Sequence, residues 1–192
     1  EYFQNITDVF IRNNHTININ KSDYINYSGS FNLTGNMQFN ATLHALNQYN
    51  TCYPSIPQAN LIITNYINCS NLIINANSLN VTSTGFFNLS NVTLISGRTD
   101  VMTGGNFLSR NSKSTLWQND NLTILGNYIL SNSTLRMNGT NVNGSIGINV
   151  SRGKMIVNDS SLITQGDSVG FRYFFIVSNS NETNVSFSTI EY

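Results

Sequence analysis

The sequence predicts an all-β chain, and three observations lead there. Apolar and polar residues alternate over long stretches, as in GSFNLTGNMQFNATLHAL at 29–46. No segment of a dozen residues carries apolar positions three and four apart with good helix formers between them. Clusters of Gly, Asn and Ser recur at a spacing of about eight to twelve residues, the rhythm of short strands joined by turns. Within that class the pattern fits a β-sandwich with an extended N-terminal strand, a barrel or, as the alternative, a parallel β-solenoid.

The elements follow in chain order. Residues 1–20, EYFQNITDVFIRNNHTININ, form an extended segment with Val9, Ile11, Ile17 and Ile19 on one parity. It ends before the first Gly-marked turn, SGS at 28–30, so residues 21–192 are expected as one β domain. The segment can pair within its own domain. It can also leave that domain and fill an edge in a neighbouring copy, which is β-strand addition. Further strands are expected at Ile17–Ile19, Ser30–Leu46, Leu61–Ile67, Asn71–Ile74 and Phe86–Ile95. Residues 99–120 are less regular and read as a long surface excursion. Strands resume at Leu122–Leu130, Thr134–Met137, Ile146–Val150 and Lys154–Val157. The run FRYFFIV at 171–177 is apolar on both parities except for Arg172, which predicts a central strand, and Val185–Ile190 closes the domain.

Two passages hint at a repeat. NLIITNYINCS is followed at an offset of eleven residues by NLIINANSLNV. Later NYILSNSTLRM, NGTNVNGSIGI and NVSRGKMIVND run at the same spacing. A solenoid produces this pattern, and so does a meander with evenly spaced turns.

Charge is scarce. Asp, Glu, Lys and Arg make up 9% of the chain, against about 25% in an ordinary domain. Formal net charge is zero and the basic residues are scattered, which argues against nucleic acid, whose phosphates demand clustered Lys and Arg. A hydrophobic content of 40% with 11% aromatics, interleaved throughout, excludes a disordered Asn-rich tract. No apolar run reaches the length of a membrane helix. The chain starts at Glu1 and reads as a mature chain freed of a signal peptide. Its two cysteines, Cys52 and Cys69, would close a loop in an oxidising compartment, worth on the order of 3 kcal/mol.

Asparagine supplies the missing polarity, and it is not placed at random. The 34 asparagines form eighteen Asn-x-Ser/Thr acceptor motifs, where composition alone would give roughly seven. The acceptors are Asn5, Asn14, Asn20, Asn26, Asn32, Asn40, Asn68, Asn80, Asn88, Asn91, Asn121, Asn132, Asn138, Asn143, Asn149, Asn158, Asn181 and Asn184. In eleven of them the middle residue is apolar or aromatic, for example Cys69, Val81, Leu89, Val92, Leu122, Val150 and Val185. Side chains alternate across a strand, so the Asn and its hydroxyl partner share one face while the middle residue packs on the other. The expectation is a surface clothed in covalent N-glycans, which explains an outer face with no charge. The plainer reading is that these amides and hydroxyls form uncharged turns and ladders.

Candidate chemistry is thin. The carboxylates Glu1, Asp8, Asp23, Asp100, Asp120, Asp159, Asp167, Glu182 and Glu191 are far apart, and no pair is favoured for acid–base work on a glycoside. His15 and His44 are the only histidines, too few for a metal site or a Ser-His-Asp triad with any motif behind it. Ser151 to Lys154 fits SxxK without its partner motifs. GTNVNGSIG lacks the ending of a phosphate loop. No catalytic residue, cofactor or metal is expected, and the likeliest job is structural or adhesive.

Size, the Asn/Ser/Thr/Tyr/Ile bias, acceptor density, all-β patterning and the strand-like EYFQNITDVFIRNNHTINI together resemble the subunits of archaeal threads. These are glycosylated filaments of thermoacidophilic archaea built head to tail. Low charge suits acidic surroundings, where carboxylates are protonated and hold no ion pairs. The resemblance implies an extracellular pilus-like filament, a pilin-like, Ig-like β-sandwich with an extended N-terminal strand, and donor-strand complementation between copies of the chain. Tyr2, Phe3, Ile6, Val9, Ile11, Ile17 and Ile19 would be the donor residues. Cell-surface location and adhesion to surfaces or other cells come with it. The alternatives are a secreted β-solenoid that binds or cleaves polysaccharide, and an S-layer or adhesin module.

Overall fold

A computed structural model describes residues 15–19, 27–32, 47–52, 59–110, 114–138, 145–165 and 172–191. The chain divides into two compact units, residues 1–46 and 47–192. In the first, β1 (His15–Ile19) pairs antiparallel with β2 (Tyr27–Phe31), Ile17 opposite Gly29. The expected boundary after residue 20 falls inside this hairpin. Residues 33–46, whose alternation first suggested a strand, lie outside the described residues.

The second unit is one fifteen-stranded sheet. Its strands are β3 (Asn47–Tyr49), β4 (Asn60–Ile63), β5 (Tyr66–Val81), β6 (Phe86–Val101), β7 (Asn106–Ser109), β8 (Ser114–Gln118) and β9 (Leu122–Ile124). They continue with β10 (Asn127–Ser131), β11 (Ser133–Met137), β12 (Gly147–Ser151), β13 (Lys154–Asn158), β14 (Leu162–Gln165), β15 (Phe174–Ser178), β16 (Glu182–Val185) and β17 (Thr189–Ile190). Every ladder among them is parallel. The all-β class therefore holds, and its arrangement is that of the solenoid alternative. An Ig-like sandwich is built from antiparallel neighbours, and among the described residues the second unit shows none.

The chain winds through three faces per coil. On the first face Tyr66, Phe86, Asn106, Asn127, Lys154 and Glu182 stand in register. On the second the row is Ile74, Leu94, Leu116, Leu135, Ile163 and Ile190. On the third it is Ile63, Val81, Val101, Ile124, Val150 and Val177. The last two rows point inward, and from Ile63 to Val150 every member of the third-face row is fully buried. Each side chain packs on its counterpart one coil away, and each buried aliphatic contributes about 1.5–3 kcal/mol. Inside the first face Phe87 meets Phe107 edge to face, and Phe107 stacks on Tyr128 with ring centroids 4.5 Å apart.

Corners explain where the strands break. Asn71, Asn91 and Asn132 hold φ of 57°, 54° and 51° between the first and second faces. Asparagine tolerates that left-handed conformation better than most residues. Between the third and first faces stands a column of glycines. A Cβ on Gly85, Gly105, Gly126 or Gly153 would lie 2.2–2.6 Å from a carbonyl oxygen of the preceding coil. Only a residue without a side chain lets the backbones stack so closely.

Three expectations are corrected. The run Leu122–Leu130 is not one strand but β9 and β10 with the Gly126 corner between them. Residues 99–120 are no surface excursion, because they hold the end of β6 and all of β7 and β8. FRYFFIV does not make a central strand; β15 is the last strand of the third face, with Ile176 and Val177 about half exposed.

Candidate functional site

The features available for function are the outward asparagines, the two ends of the solenoid and the few paired charges. Twelve of the eighteen acceptors are described: Asn32, Asn68, Asn80, Asn88, Asn91, Asn121, Asn132, Asn138, Asn149, Asn158, Asn181 and Asn184. None of the twelve is buried. The middle residues Cys69, Val81, Leu89, Val92, Leu122 and Val150 are all buried, so the alternation expected from the motif is present in the strands. Val185 is the exception, at 39% exposed, because it lies in the last coil. Asn5, Asn14, Asn20, Asn26, Asn40 and Asn143 lie outside the described residues.

The amides also bond to one another. Asn88 Nδ2 donates to Asn68 Oδ1 at 3.0 Å, and Asn91 Nδ2 to Asn71 Oδ1 at 2.9 Å. The Asn127–Asn106 and Asn138–Asn119 pairs repeat this at 2.8 and 2.9 Å. Such ladders are the plainer reading of the asparagines. The two readings meet at Nδ2, the atom a glycan would modify. It is engaged in Asn88, Asn91, Asn138 and Asn181. In Asn80, Asn149 and Asn158 it is Oδ1 that turns inward, where it is buried and has no hydrogen-bond partner. The Oδ1 of Asn88 is buried and unpartnered in the same way, while its Nδ2 is engaged in the ladder.

Cys52 and Cys69 are joined with Cα atoms 5.6 Å apart, as their spacing suggested. The bond ties the chain before β4 to the buried side of β5. Beside it Asn50 Oδ1 accepts the backbone N–H groups of Thr64 and Asn65 at 2.8 and 3.0 Å. Among the described residues both ends hold strands with a paired neighbour on one side only: β3 and residues 66–76 of β5 at this end, and β15, β16 and β17 at the other. Val177 is 47% exposed and Phe187 89%.

Of the donor residues, Ile17 and Ile19 lie in β1, paired with β2 of the same chain. Tyr2, Phe3, Ile6, Val9 and Ile11 lie outside the described residues.

Ionisable groups are engaged with neighbours rather than gathered. Arg98 Nε bonds Asp100 Oδ2 at 2.8 Å, and this hydrogen bond, then the carboxylate charge, raises the guanidinium pKa. Lys154 Nζ lies 2.5 Å from Glu182 Oε2, so the lysine of the SxxK stretch is held in an ion pair. Asp159 accepts from Ser131, and Glu191 from Thr164. Burial raises the Tyr128 phenol pKa well above its ordinary value. Among the described residues no three His, Cys, Asp or Glu side chains come together as a metal would require. No described helix is long and apolar enough to cross a membrane. The most polar point of the interior is Gln118. Its Oε1 accepts from Ser96 and Thr99 at 3.1 and 2.8 Å, and its Nε2 donates to the carbonyls of Gly97 and Asn121. The Asn121 carbonyl also accepts the Thr99 N–H at 3.0 Å, so Gln118 ties together the corner backbone on either side of it.

No family model, no curated protein and no solved structure matches the chain.

Proposed function

We propose that the chain is a structural subunit of an N-glycosylated extracellular filament, joined head to tail through its open C-terminal coil. The observation that carries this reading is the third-face row. It is sealed from Ile63 through Val150 and then breaks open at Val177. A parallel sheet that ends on an apolar, unpaired edge accepts a further strand, and such contacts between identical copies propagate into fibres. The assembly mode implied by the resemblance to archaeal threads is retained, while its sandwich gives way to a solenoid end. The strand-like residues 1–20 remain the donor. Outward acceptors and the Cys52–Cys69 bond support an extracellular, glycosylated protein.

Electron microscopy of native material tests it together with intact mass before and after glycan removal. Filaments and a mass loss of many sugars are expected. Val177→Lys with Val185→Lys should leave folded monomers, because a charge at the edge opposes strand addition. Filaments of ordinary length from that variant, or a mass that does not change, would refute the reading. The solenoid fold itself favours a second reading, a polysaccharide-binding module. It expects monomers in native material and retention on a polysaccharide matrix.

A further inference from the structure

The second face of the solenoid lacks both devices that would solvate it. Its strands are residues 72–76 and 92–96 with β8, β11, β14 and β17. None of the twelve described acceptors lies in them, whereas the first face carries Asn68, Asn88, Asn158 and Asn184 and the third carries Asn80 and Asn149. Those strands contain one charged residue, Arg136. Its guanidinium lies 5.0 Å from the centroid of the Trp117 ring, a cation–π contact that lets a cation sit at a dry interface. Around this pair the outward rows carry Ile73, Ile95 and Leu162 among the uncharged Asn75, Thr93, Thr115, Thr134, Thr164 and Thr189, and Ile73 is 55% exposed. Three acceptors border the face, Asn91, Asn132 and Asn138, and the Nδ2 atoms of Asn91 and Asn138 are engaged in the ladders.

We propose that this face pairs side by side with the same face of a second copy, so that head-to-tail rows associate laterally. Protein can approach here without meeting sugar in the middle of the sheet. Trp and Arg are the residue types that anchor protein interfaces. Charge favours a self-complementary contact. Beside Arg136 the face offers one anion, Glu191 at the end of β17, so a two-fold pairing sets each cation toward the partner's anion. Size sets the strength. Six strands at ~4.8 Å, of five residues each save four in β14 and two in β17, at ~3.3 Å per residue make a patch of roughly 410 Å². A stable pair buries about 800 Å² on each side. One contact is therefore weak, and repetition along a row supplies the avidity. The inference rests on the head-to-tail reading for that repetition, and the test separates the two.

The variants are Ile95→Lys on this face and Ile129→Lys on the outward side of the first face, each checked for fold by circular dichroism. Electron microscopy reads filament length and the fraction of filaments lying in pairs. Ile95→Lys is expected to lower the paired fraction at least tenfold with length unchanged, and Ile129→Lys to leave both as in the wild type. Wild-type filaments that are always single, or pairing that survives Ile95→Lys, would overturn the lateral contact while the head-to-tail reading stands. Pairing lost on glycan removal but kept in Ile95→Lys assigns the contact to carbohydrate and also overturns it. Where no filaments form, sedimentation at the highest soluble concentration decides. Dimers abolished by Ile95→Lys support the face without the row, and a monomer at every concentration refutes it.

Discussion

The two ends of the solenoid are built from the same kind of sequence and solved differently. At the N-terminal end a covalent bond reaches from Cys52 to the core side of β5, and Asn50 fixes the backbone of residues 64–65. Leu61, Ile63 and Cys69 beneath them are fully buried. At the C-terminal end β16 is exposed along its whole length, and Val177, Val185 and Phe187 face solvent. The final coil is held by its parallel ladders and by polar ties, among them the Tyr173 hydroxyl donating to the Glu191 carbonyl at 2.8 Å. In a solenoid each coil contacts only its neighbours, so stability is a sum of local terms and the two ends can differ freely. Both ends carry strands paired on one side only, and they differ in what holds them: a covalent bond at the first coil, ladders and polar ties at the last.

The largest effect is expected from removing the covalent bond at the first coil. Cys52→Ala with Cys69→Ala removes the loop constraint, worth on the order of 3 kcal/mol. Urea unfolding should report that loss. Hydrogen exchange should place it, with protection falling in β4 and the first half of β5 and staying unchanged in β15 to β17. Equal loss of protection at both ends would show that the molecule unfolds as one block and that the ends are not independent.

A smaller and more direct comparison uses one row at two depths. Val81 and Val177 stand in the same inward column of the third face. Val81 is fully buried and Val177 is 47% exposed. Removing two methyl groups costs about 2 kcal/mol where the cavity cannot fill, and about 0.5 kcal/mol where water already reaches. Val81→Ala and Val177→Ala should therefore differ several-fold in denaturation midpoint shift when measured on monomer. In assembled material the gap should close, because a donated strand covers Val177. A gap that persists on assembly would remove Val177 from the joint.

What the sequence allowed and what it hid divide along the same physical line. Alternation is local, so Asn68-Cys69-Ser70 and Asn80-Val81-Thr82 could be placed outward, inward, outward from two neighbours alone. The disulfide needed only two cysteines. Coil length is not local. Tyr66 meets Phe86 after 20 residues and Lys154 meets Glu182 after 28, so no fixed period survives in the chain. The eleven-residue echo matched Asn60 with Asn71, which stand on different faces. The informative echo lay at 20 residues, where Asn68 and Asn71 recur as Asn88 and Asn91. The apolar run at 171–177 read as central because both parities are apolar. The same composition suits an edge whose outer neighbour is supplied by another chain. The corner at Gly126 was masked by apolar residues on either side of it.

The finest test concerns the tie that holds the open end in place. Lys154 and Glu182 occupy adjacent coils of the first face in direct register, 2.5 Å apart, with both side chains more than a third exposed. Exposed pairs contribute little, about 0.2–1 kcal/mol, because water screens the charges and two long side chains must be ordered. Glu182→Gln should lower stability by no more than that, and added salt should shrink the difference, since screening weakens the wild-type pair alone. The discriminating readout is exchange in β16. Its protection comes from a ladder to β13 on one side, so losing the pair should raise exchange at 182–185 while β4 keeps its wild-type rate. A uniform change across the molecule would mean that the last coil is as firmly held as the first. The open end would then be a finished surface rather than one awaiting a strand.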